Sequence, residues 1–68
     1  MLFDTVTDDD GDAVAVLAYG GLVILRSIER SSGNVQEVFL DASLRRRFTL
    51  AWGMAESQAE AHEAASGD

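Results

Sequence analysis

Cysteine, proline and lysine are absent from this chain, and histidine and tryptophan occur once each. Without cysteine there is no disulfide framework, no cysteine-based zinc site and no thiol chemistry, which is compatible with a reducing compartment. A cytoplasmic location is the expectation. A lone histidine, His62, makes no zinc site, and no nucleophile or orienting group is singled out for it to serve as a base. Without lysine, all five basic residues are arginine, which reads first as compositional bias and second as a choice of bidentate pairing groups.

Long apolar runs are also missing. The longest, Ala13 to Leu25, covers thirteen residues and is broken by Gly20-Gly21, short of the roughly 17 to 25 that a membrane-spanning helix needs. Met1-Leu2-Phe3-Asp4 has neither the basic start nor the apolar stretch of a secretory signal, so none is expected. With 68 residues the chain has room for one core, and a domain of this size buries only about 60% of its unfolded surface. Self-association would add to a thin margin of stability.

What is present belongs to a folded protein: 47% of residues are hydrophobic and 25% charged, outside the regime of disordered chains. Twelve acidic residues against five basic ones give a net charge of −7. That balance opposes contact with nucleic acid or an anionic membrane over most of the surface and favours a basic partner.

The pattern along the chain predicts four strands and a helix. Leu2 to Thr7 is rich in β-branched and aromatic residues and ends at Asp8-Asp9-Asp10-Gly11-Asp12, a turn-forming cluster. Ala13 to Tyr19 and Leu22 to Arg30 flank Gly20-Gly21, as in a tight hairpin. Ser31-Ser32-Gly33-Asn34 makes the next turn. Val35 to Leu40 closes the meander, with Val35, Glu37 and Phe39 on one face and Gln36, Val38 and Leu40 on the other.

Asp41 or Ser43 can cap a helix from Leu44 to about Ala64, a stretch that no proline interrupts. At 100° per residue, Leu44, Phe48, Ala51, Trp52, Ala55 and Ala59 form one stripe, expected to be the core face. The resulting fold class is α+β: a four-stranded antiparallel meander (ββββα) with one long C-terminal helix packed on one face. Residues 1–65 form the single domain, and 66–68 a disordered C-terminal tail.

Several features invite a chemical reading and fall short of one. Asp8, Asp10, Gly11 and Asp12 match the opening of an EF-hand loop, but Ala13 and Tyr19 stand where the turn glycine and the bidentate glutamate belong. No metal or cofactor is expected. Gly20-Gly21 lacks the spacing and the Lys-Ser/Thr ending of a phosphate loop. No enzymatic constellation emerges, and the expectation is a binding protein.

Two charge features and one apolar feature remain. Arg45-Arg46-Arg47 sits in the first turns of the helix and Glu56, Glu60 and Glu63 toward its end, both against the helix dipole. The expected account is internal pairing with the Asp8 to Asp12 loop or Asp41, or plain solvation of the arginines, ahead of an acidic or phosphate-bearing partner. On the central strand Leu22, Ile24 and Ile28 share a face while Val23 and Leu25 point the other way, and one helix cannot cover both. Leu50, Met54 and Ala61 form a second apolar strip on the helix. Leu22, Ile24, Ile28, Leu50 and Met54 are therefore the candidate interface, with a homodimer the expected state.

The leading functional expectation is a small acidic protein–protein interaction module, an inhibitor or adaptor, presenting Asp8, Asp9, Asp10, Asp12, Glu56, Glu60 and Glu63 to a basic protein. Its sharper form is nucleic-acid mimicry of the virus-encoded anti-defence kind, an analogy of size and charge. The alternative is a structural or assembly subunit that homo-oligomerises through its apolar sheet and helix surfaces. Direct nucleic-acid binding through Arg45, Arg46 and Arg47 with Arg26 and Arg30 ranks third.

Overall fold

Runs of β-branched and aromatic residues broken by Asp/Gly clusters give strands, and the proline-free, alanine-rich remainder gives a helix. The computed structural model describes residues 1–65; the expected disordered tail, 66–68, lies outside them. Strands β1 (Leu2–Thr7), β2 (Ala13–Tyr19), β3 (Leu22–Ile28) and β4 (Val35–Leu40) precede helix α1 (Ala42–Ala65). They form one antiparallel sheet in the order β1-β2-β3-β4, the expected ββββα meander.

Each turn is closed by its own sequence. Gly20 has φ 59° in the link between β2 and β3, a left-handed conformation that glycine adopts without a Cβ penalty. The chain leaves β3 at Ile28, two residues before the expected end at Arg30. The Glu29 amide donates to Asn34 O at 2.9 Å and the Gly33 amide to Glu29 O at 2.8 Å, drawing Glu29 and Arg30 into the turn. At the other side of the same sheet end, Asp8 Oδ1 accepts the amides of Asp10 at 2.9 Å and Asp12 at 3.0 Å. Such Asx bonding is why the aspartate run folds as a turn.

The register assigns side chains to faces, because directly opposed residues lie on the same side of a sheet. Thr5, Ala15, Arg26 and Glu37 form one row across all four strands. Leu2, Leu17, Ile24 and Phe39 form the next row on that face, beyond a register shift between Leu2 and Asp4. Val16, Leu25 and Val38 form a row on the opposite face. Both faces are apolar. Leu22, Ile24 and Ile28 share the first face, as the alternation predicts.

The helix begins at Ala42, where Asp41 Oδ1 accepts the Leu44 amide at 3.0 Å. Asp41 is thus the N-cap, and Leu44 occupies the third helical position, the usual donor to such a cap. Beyond this start, the expected packing of the stripe is not found. No helix residue is buried; Leu44 is 40%, Phe48 41% and Trp52 59% exposed. The helix meets the sheet at the end of β4, where Leu40 is buried, and runs on without covering either face. Only Asp41 separates β4 from α1, a link shorter than the usual two to six residues, and the helix departs from the end of the sheet.

The dimensions reflect this open arrangement. The Cα radius of gyration is 14.5 Å, against about 11 Å for a compact chain of this length. The accessible surface is 5575 Å² for 7.3 kDa, against about 4,200 Å² for a typical folded monomer.

Candidate functional site

A protein with two apolar sheet faces and an apolar helix stripe should hide them, since apolar burial is the main term favouring folding. Here only Ala15 and Leu40 are buried hydrophobics among the described residues. Ala15 lies beside Arg26 in the cross-strand row. Arg26 Nε and Nη2 both reach Glu37 Oε2 at 2.9 Å, a cross-strand ion pair that holds the guanidinium over the sheet. Leu40 lies on the opposite face, and with Leu44, Phe48 and Ala51 it lines a shallow groove at the junction of β4 and α1.

The uncovered surface falls into three regions. On the first sheet face Leu2, Tyr19, Val35 and Phe39 are exposed, surrounding half-buried Leu22, Ile24 and Ile28. On the second face Val6, Val14 and Val38 are exposed. On the helix the stripe carries Phe48 and Trp52 side by side, ring centroids 6.2 Å apart and planes inclined at 32°. This i, i+4 aromatic pair makes one continuous apolar ridge. Leu50 and Met54, the expected second strip, are 67% and 66% exposed and line a shallow groove with Gly53 and Ala61.

The acidic residues are distributed differently. Asp8 and Asp12 are engaged at this end of the sheet: Asp8 holds two amides of its own loop, and Asp12 Oδ1 accepts the Arg30 amide of the next turn at 3.0 Å. They therefore bind the β1–β2 loop to the β3–β4 turn. Asp9 and Asp10 are exposed at the same end of the sheet. Glu56, Glu60 and Glu63 are exposed on the helix, which departs from the opposite end of the sheet; Glu56 lies about 21 Å along the axis from Ala42 at 1.5 Å per residue.

Of the two expected fates of the arginines, pairing with the aspartate loop is not found, because that loop and the helix start occupy opposite ends of the sheet. Among the described residues no ion pair joins Arg45, Arg46 or Arg47 to Asp8–Asp12 or Asp41. Arg45 Nη1 instead donates to Gly21 O, tying the first helical turns to the β2–β3 link. Arg46 and Arg47 are exposed.

Sequence reasoning found the second strip on the helix and the surplus face of the sheet. It missed that the main stripe is open too: with the helix expected from Leu44, nothing in the residue pattern showed that it starts at Ala42, one residue after β4. Among the described residues no helix is long and apolar enough to cross a membrane. No family model matches the chain, and neither the curated proteins nor the solved structures compared with it give a match.

Proposed function

We propose that this chain is a structural or assembly subunit that buries its apolar helix and sheet surfaces against protein. The observation that carries this reading is the exposure of the Leu44–Phe48–Trp52 ridge in a domain whose own sheet offers it no cover. Exposed apolar patches of this extent mark interaction surfaces. The net charge of −7 then serves solubility while the apolar surface awaits its partner.

A second reading, an acidic module that docks on a basic protein or mimics nucleic acid, draws support from the exposed carboxylates of Asp9, Asp10, Glu56 and Glu60. Asp8 and Asp12, occupied by backbone amides of the two adjoining turns, contribute less to it. No catalytic role is proposed.

Sedimentation of the purified protein at low and high salt, beside capture of partners from its source lysate under the same two conditions, separates the readings. Apolar assembly persists or tightens as salt rises, whereas a charge-driven complex weakens steeply. Association lost at high salt would replace the first reading by the second.

A further inference from the structure

We propose that the helix stripe is covered by a second copy of this chain, the two helices lying antiparallel so that the aromatic half of each rests on the alanine half of the other. This rests on the assembly reading above and names its occupant. Three features of the helix converge on it.

The first is side-chain size. Leu44, Phe48 and Trp52 fill the N-terminal half of the stripe, and Ala51, Ala55 and Ala59 continue it. Consider a twofold axis passing between Ala51 and Trp52. Leu44 then faces Ala59 of the second copy, Phe48 faces its Ala55, and Ala51 faces its Trp52. Large residues meet small ones at every level, the condition for dense packing between helices. A parallel pair would oppose aromatic to aromatic at one end and alanine to alanine at the other, leaving one end overfilled and the other empty.

The second is charge. Arg45, Arg46 and Arg47 lie near the helix start and Glu56 and Glu60 well along it. Antiparallel pairing lays Arg45 of one copy toward Glu56 of the other, while Arg46 and Arg47 point away from that flank; parallel pairing stacks like on like. In the register set by side-chain size, Arg45 and Glu56 of the second copy fall on the same flank of the stripe, offset by about 3 Å along the axis at 1.5 Å per residue. Arg45, whose guanidinium also donates to Gly21 O, thereby gains a neighbouring carboxylate that offsets part of its unfavourable place in the helix dipole.

The third is area. The chain exposes 5575 Å², about 1,400 Å² more than a compact monomer of its mass. A stable interface of standard size removes about 800 Å² from each partner, so the surplus is sufficient for one. The 24-residue helix is about 36 Å long at 1.5 Å per residue, which keeps the two sheets at opposite ends of the pair.

The chain has no cysteine, so single-cysteine variants report the pairing alone. Ala51 lies beside the proposed axis, where Ala51→Cys brings two thiols within the 7 Å Cα separation a disulfide tolerates. Ala59→Cys places its two copies about 22 Å apart along the axis and cannot bridge. Expected on mild oxidation is near-complete conversion of the Ala51→Cys protein to a covalent dimer and none for Ala59→Cys, with the unmodified chain sedimenting as a dimer.

Crosslinking of Ala59→Cys as readily as Ala51→Cys would overturn the antiparallel register while leaving the assembly reading standing. An unmodified chain that stays monomeric at every concentration would overturn the second copy as occupant. Dye binding then decides the underlying reading: a monomer that binds an apolar dye strongly still carries open surface for another protein, and one that binds none has no such surface, so both fall.

Discussion

Gly11 has φ 88°, and a Cβ built on it would lie 2.5 Å from Arg30 Cδ. The positive φ favours glycine at this point of the acidic loop, and any larger residue would also have to push aside the exposed Arg30 side chain. Gly11→Ala is expected to lower stability by more than about 1 kcal/mol, measured by urea unfolding. Gly53 presents the opposite case: it lies mid-helix, on the side away from Leu44, and a Cβ there would meet nothing within 4 Å. Gly53→Ala should stabilise by about 1 kcal/mol, the helix-propensity difference between the two residues. An unchanged or lowered midpoint would mean that this side of the helix is occupied. Asp41 caps the helix through the Leu44 amide, so Asp41→Ala should cost about 1 kcal/mol and reduce the helical dichroism first.

At the scale of elements, strand positions, turns and helix were legible because each is encoded locally. Alternation marks Val35 to Leu40, Gly20-Gly21 marks the hairpin link, and Asp41 or Ser43 marks the helix start. The faces of the sheet were legible as well, since a period of two leaves no freedom once strands pair. The relation of helix to sheet was not, because an apolar stripe states that Phe48 and Trp52 need cover without stating what supplies it. The arginines show the same limit. Arg45 reaches the Gly21 carbonyl, a contact set by which sheet end the helix leaves and invisible in the charge pattern. Trp52, 59% exposed, makes the distinction testable. A core tryptophan costs about 3 to 5 kcal/mol on truncation, whereas in the isolated chain Trp52→Ala should cost about 1 kcal/mol or less, read by unfolding at the lowest usable concentration. At high concentration the larger cost should appear, as loss of self-association.

For the whole molecule, a four-stranded sheet with a helix attached only at its end is half of an architecture. Domains bury apolar faces between layers, and this chain has only one layer over most of its area. Its radius of gyration of 14.5 Å and its two buried hydrophobics among the described residues support the proposal that its core is completed from outside. Stability and association are then linked by mass action, so the thermal midpoint should rise with protein concentration. The acidic loop stands at the far end of the sheet from the helix start and remains in solvent throughout.

Trp52 is the only tryptophan and sits on the ridge that the second copy is proposed to cover, so its fluorescence across a concentration series tests the account most directly. Emission is expected to move to shorter wavelength as concentration rises, in step with dimerisation by sedimentation. Emission that stays characteristic of a solvent-exposed indole at every concentration, in a chain that remains helical, would contradict it.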